Sequence, residues 1–195
     1  AFACALVNAQ PMGFYSPSSI VRDAQKHGVE VRPVCVVHSQ WDCTLEPSDS
    51  GPALRLGFRL VKGVGRTRVD SLVAARSAAP LSGVDDVVRR SALRRDEVER
   101  LAEAGAFERL TPGRRQAMWQ VRAPREPGLW SNRSLESSRR ASLPELTARD
   151  QLSLDYGTTG LSIDDHPMRH LRSRLRRRRV RQASEQQGFR RGQRV

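Results

Sequence analysis

Two glycines with one valine between them, Gly63-Val64-Gly65, interrupt a stretch of apolar residues that otherwise repeats at helical spacing. Glycine tolerates backbone angles that other residues avoid, so this triplet marks a sharp reversal and not a continuing helix. On its N-terminal side, residues 53–58 alternate like a strand and run into a short helical segment ending at Lys62. On its C-terminal side Val69, Leu72 and Val73 share one face of a helix over residues 66–76. Neither segment buries much by itself. The turn obliges them to pack on one another, and the helical periodicity continues over 81–90, 94–104 and 114–121, the last carrying Met118 and Trp119. The middle of the chain is therefore expected to be a series of short helices joined by tight turns.

The N-terminal part reads differently. Residues 2–9 resemble the last turns of a helix, and Ser16-Pro17 is a strong helix start: serine caps the first free amides and proline suits the first helical position. Ile20, Val21 and Ala24 form one apolar face, and Gly28 stops the helix. Residues 29–34 alternate as a short strand, 41–46 form another extended piece, and 48–52 make a turn. Beyond the central helices, 122–142 is rich in Pro, Ser and Arg with little periodicity and reads as a linker or mobile loop. Residues 144–154 read as helical, 157–165 as irregular, and His166-Pro167 opens a last helix through Leu171 and Leu175. The fold class expected is mostly α with a small α+β N-terminal part.

The glycine turn also has a chemical use. The first amides of a helix lack intrahelical acceptors, and together with the helix dipole they can hold an anion such as a phosphate oxygen. Lys62, Arg66 and Arg68 surround that point with positive charge, and Val64 is placed to plug back between the two helices. This is the pattern of a helix-hairpin-helix DNA-binding motif, in which Lys62, Gly63, Val64, Gly65, Arg66 and Arg68 meet the phosphate backbone without reading bases. A plain turn between packed helices is the competing reading. The stretch is not a P-loop, for no Gly-Lys-Ser/Thr follows, and it lacks the third glycine of a dinucleotide fingerprint.

The chain has 195 residues, 34 basic against 21 acidic, for a net charge of +13, which suits a polyanionic partner. Only Lys26 and Lys62 among the bases are lysines, and seven of the ten residues from Arg172 to Arg181 are arginine, so the charge is partly a property of the C-terminal end. That run serves equally well as a phosphate-tracking segment or as a solvated tail. Asp85-Asp86 and Asp164-Asp165 are adjacent pairs whose side chains diverge. They fit helix starts better than a metal site. Cys4, Cys35 and Cys43 form no disulfide framework. Cys35 and Cys43 with His38 between them match no common zinc spacing. His27, His38, His166 and His170 have no nucleophile nearby in sequence. No apolar run approaches the roughly 18 residues of a membrane span, and a reducing, cytoplasmic setting is expected.

Several longer motifs carry a resemblance. Residues 8–17 (NAQPMGFYSP), 27–34 (HGVEVRPV), 38–46 (HSQWDCTLE), 54–58 (LRLGF) running into 62–65 (KGVG), 104–107 (AGAF), 159–162 (TGLS) and 166–168 (HPM) occur in the order found in the bacterial family C DNA polymerases. The match resembles the error-prone, ImuC-type branch of that family most closely. The resemblance implies that residues 1–52 are the end of a fingers domain and 53–121 a tandem helix-hairpin-helix DNA-binding region. Residues 122–142 would be the linker, 143–175 a helical connection toward an OB domain, and 176–195 an Arg-rich tail at its entry. It implies a parent activity of template-directed, damage-tolerant DNA synthesis. The magnesium of that activity would lie in a palm domain outside this chain, leaving this chain no cofactor and no catalytic residue, hence inactive alone. The partners implied are DNA, the palm and fingers of the parent polymerase, and a sliding clamp or another translesion accessory protein, with no membrane. Cys35 and Val37 depart from the branch's usual residues, 123–140 matches poorly, and 176–187 is unusually arginine-rich. A stand-alone DNA-binding or protein-docking module, and a non-functional remnant, are the alternative readings.

Overall fold

The structure, a computed structural model, describes residues 1–49, 51–123 and 143–182. Ser16 caps the second helix through its hydroxyl, which accepts from the Ser19 amide at 3.3 Å, with Pro17 at the first helical position. This helix, α2 (Pro17–Lys26), buries Ile20, Val21 and Ala24 and packs beside α1 (Phe2–Asn8). Three short strands follow: β1 (Val31–Arg32), β2 (Thr44–Glu46) and β3 (Ala53–Arg55). β3 lies centrally, parallel to β1 and antiparallel to β2, with Leu45 opposite Leu54. Alternation in the sequence thus marks real strands, though each is only two or three residues long.

Two features fix this sheet. Arg55 is 9% exposed, and such a charge needs a partner. Its guanidinium donates to both carboxylate oxygens of Glu46 at 2.8 Å and to the Pro33 carbonyl at 2.8 Å. Gly57 lies against a chain crossing, where an added Cβ would stand 2.4 Å from the Trp41 carbonyl oxygen and 2.6 Å from the Cys43 nitrogen. Only glycine fits there.

The segment expected to be a helix ending at Lys62 is instead a single 3₁₀ turn, Phe58–Leu60. The amides of Phe58 and Arg59 donate across to the carbonyls of Gln40 and Trp41, each at 3.0 Å. Gly57, pinned against that crossing, and the reversal at Gly63 leave only residues 58–62 between them, little more than one α-helical turn. The helices that follow are α3 (Arg66–Ala78), α4 (Val84–Arg90), α5 (Arg95–Glu103), α6 (Arg114–Arg122) and α7 (Ala148–Thr158). α7 starts at the Thr147 cap and continues through Gly157, later at both ends than the periodicity suggests. The apolar faces meet in one continuous core, from Val7 and Val21 through Leu54, Phe58, Val69 and Leu72 to Leu101, Phe107 and Leu161. The helix-strand unit at the N-terminus therefore has its packing partner within the same chain.

The described residues 164–182 belong to a separate unit. Its helix α8 (Pro167–Arg177) is capped by the His166 ring, which accepts from the Met168 amide at 3.1 Å, and it buries no residue. Asp165 accepts from the His166 amide and from the His170 ring. The fold is thus mostly helical with a small N-terminal mixed sheet. The expected linker lies almost wholly outside the described residues, as does the end of the arginine-rich tail.

Candidate nucleic-acid interface

The reversal at residues 61–65 divides its work between the two glycines. Gly63 has a φ of +82°, a left-handed conformation that favours glycine. Gly65 has an ordinary φ of −93° and caps α3; a Cβ there would meet only the Glu97 carboxylate, at 3.6 Å. Gly65 is therefore dispensable to the backbone conformation and keeps the outer surface of the turn bare. Val64 is 8% exposed and joins the core, as its position as a plug requires.

The amides around the turn are not equivalent. Arg68 and Val69 donate back to the Gly65 carbonyl. The Val64 amide closes the turn toward the Val61 carbonyl, and among the described residues the amides of Gly63, Arg66 and Thr67 have no hydrogen-bond acceptor. The Gly65 amide differs from the sequence expectation: it donates to Glu97 Oε1 at 3.2 Å. Three amides, and not the whole hairpin, are thus available to an anion.

Glu97 is the residue the sequence reading missed. It is 1% exposed and sits in the first turn of α5. Its Oε2 accepts from the Arg94 amide at 2.8 Å, the reach-back bond of a capping box, and pairs with Arg68 Nε at 3.2 Å. One buried carboxylate thereby ties the glycine turn, α3 and the start of α5 together. The available signal was a glutamate three residues into a helix start; nothing local indicated that its other oxygen reaches residue 65.

The three bases differ as well. Lys62 is tied to α7, its amide donating to the Thr158 carbonyl at 2.9 Å and its ammonium to the Tyr156 carbonyl at 3.3 Å. Carbonyls do not neutralise it, so its charge remains. Arg68 is committed to Glu97 and to the Ala92 carbonyl at 2.8 Å. Arg66 is exposed and has no partner among the described residues. The net positive field beside the free amides thus comes from Lys62 and Arg66.

The other candidates are structural. Asp86 accepts from the Ser82 amide, Arg89 and Arg90, and these bonds, the Ser82 amide first, hold its carboxyl down at about 2. Cys43 is buried, which pushes its thiol up to about 11. Among the described residues no group of three or more His, Cys, Asp or Glu is placed to hold a metal ion. No helix among them is long and apolar enough to cross a membrane.

The family model of the helix-hairpin-helix motif matches residues 28–117, a span that contains the glycine turn, its Glu97 brace and the sheet. Over 186 residues the chain is 46% identical to an error-prone DNA polymerase of Alkalilimnicola ehrlichii, with 94% of this chain and 18% of that protein aligned. It is 43% identical to error-prone DNA polymerase 2 of Rhizobium meliloti (92% of this chain, 18% of the relative) and 44% to the error-prone DNA polymerase of Anaeromyxobacter dehalogenans (95% and 17%). The chain is homologous to a segment of error-prone DNA polymerases. It spans less than a fifth of the length of these relatives.

Proposed function

We propose that this chain is the segment of an error-prone DNA polymerase that grips the phosphate backbone of DNA, and that Gly63, Val64, Gly65, Lys62, Arg66 and Arg68 form the contact. The observation that carries the reading is the hairpin itself: three unaccepted amides at the turn and the start of a 13-residue helix, beside two cations with no carboxylate partner among the described residues. Within the set the roles divide. The amides of Gly63, Arg66 and Thr67 bond the phosphate, Val64 anchors the hairpin in the core, Lys62 and Arg66 supply long-range attraction, and Gly65 allows close approach. Arg68, paired with Glu97, holds the turn's shape. Such contacts carry no base information, so binding is sequence-independent. The finer attributes of the ImuC-type branch, including synthesis across damaged template, a cytoplasmic location, and a clamp or accessory partner, belong to this proposal too.

Fluorescence anisotropy of a labelled duplex, at two salt concentrations, tests it with the Lys62→Ala, Arg66→Ala double variant. Affinity is expected to fall about tenfold at low salt, and the slope of log K against log salt to shrink by about one to two. Unchanged affinity and slope would sink the proposal.

A further inference from the structure

A second concentration of positive charge lies away from the hairpin, where two grooves of about 460 and 620 Å³ adjoin. His38 and Arg109 line both, and Arg76 lines the larger. Arg76 is on the last turns of α3, about 16 Å along the helix from Gly65. Arg109 lies between α5 and α6.

The charges here are unevenly matched. Arg55, on the wall of the smaller groove, is neutralised by Glu46. Arg76 is not neutralised: its guanidinium donates to the Val36 carbonyl at 2.9 Å and to the His38 carbonyl at 3.3 Å, with no carboxylate partner among the described residues. Carbonyl oxygens orient a guanidinium without cancelling its charge. Arg109 is exposed and unpartnered among the described residues. The one further carboxylate on the grooves is Glu108, exposed at the rim of the smaller one. Burial lowers the proton affinity of Arg76. Partial burial, then the nearby Arg55, Arg109 and Arg76, lower that of His38, opposed only by Glu46. A fixed, half-buried fork of N–H donors, a free guanidinium and an imidazole facing one concavity match the several acceptor oxygens of a phosphate.

We propose that His38, Arg76 and Arg109 form a second oxyanion site that takes a phosphate group, separate from the hairpin. Arg76 supplies oriented donors, Arg109 closes over the anion, and His38 borders it. A backbone phosphate of the same DNA and a free phosphate or nucleotide share this chemistry. The DNA source rests on the proposed function; the site itself does not.

NMR titration distinguishes these sources. The His38 ring resonance, assigned with His38→Gln, and the Arg109 Nε resonance are followed on adding inorganic phosphate, a duplex oligonucleotide, or chloride at matched ionic strength. The expected result is a saturable shift of both signals with phosphate that chloride does not reproduce. Arg109→Ala, an exposed change that leaves the fold intact, weakens it about fivefold. If the duplex moves these signals together with the hairpin amides, the phosphate is a DNA backbone group. If phosphate shifts them and the duplex does not, the site holds and its ligand is a free phosphate or nucleotide. A duplex that moves the hairpin amides while neither ligand moves His38 or Arg109 would overturn the inference and leave the hairpin reading standing. Equal shifts with chloride would also overturn it.

Discussion

The two glycines of the hairpin look alike in the sequence and do different things in the fold. Gly63 is required by its left-handed φ of +82°, and Gly65 is not required by its own. Gly63→Ala is therefore expected to lower stability by about 1 kcal/mol in a denaturant melt. Gly65→Ala should leave stability within about 0.5 kcal/mol, since its Cβ would make only ordinary contact with Glu97. Gly65 is exposed, so on the proposed contact the same Gly65→Ala change should weaken DNA binding several-fold by crowding the phosphate. Wild-type affinity in that variant would remove close approach from the account. The turn was legible because a Gly-Val-Gly triplet has few other uses, and Val64 was legible because a lone valine there must face inward. Gly57 was not. Its requirement arises from Trp41 to Cys43 passing 2.4 to 2.6 Å from where its Cβ would be, a tertiary fact with no local trace.

Among the elements, α5 has a role that its own sequence does not announce. Through Glu97 it caps itself, accepts the Gly65 amide and holds Arg68. Glu97→Gln offers one acceptor where two are needed and turns an amide N–H toward a donor. A loss of about 2 kcal/mol in thermal or denaturant melts is expected. Its effect on DNA binding has an informative sign. Removing a negative charge near a phosphate site should by itself tighten binding, whereas loosening the turn should weaken it. A weakening of about fivefold is expected below the melting temperature; tighter binding would show that Glu97 does not position the hairpin. The helices themselves were largely legible, since their apolar spacing and the Ser16, Pro17 and His166-Pro167 starts are local signals. The segment before the hairpin is a 3₁₀ turn and not the expected helix because only residues 58–62 lie between Gly57, pinned against the crossing chain, and the left-handed Gly63, a constraint set by tertiary contact.

At the scale of the molecule, the sheet and the helices share one core, and ion pairs with partly buried acids pin its edges. Hydrogen bonds from Arg55 and then Arg32 hold the Glu46 carboxyl down at about 2. An unfolded glutamate titrates near 4.3, so on acidification the unfolded chain takes up this proton first. The contribution is full above about pH 5 and is lost as pH falls toward 2; it is on the order of 2 kcal/mol. Asp86, also held at about 2, adds a second such group. Melts of Glu46→Gln between pH 5 and 2.5 should therefore show about half the wild-type loss of stability. An undiminished slope would mean that Glu46 is not the responsible group. Net charge was legible from composition, but not its arrangement: many of the arginines in residues 1–163 are paired, and among the described cations without a carboxylate partner Lys62 and Arg66 flank the hairpin while Arg76 and Arg109 line the larger groove. A chain of +13 will adhere to DNA in any case, so affinity alone does not identify a contact. The most direct test of the hairpin is the backbone amide spectrum during titration with a duplex. The amides of Gly63, Arg66 and Thr67 should shift downfield together and saturably, while the Gly65 amide, bonded to Glu97, stays nearly still. Shifts confined to the arginine-rich surfaces, with residues 63–67 unmoved at saturation, would contradict the account.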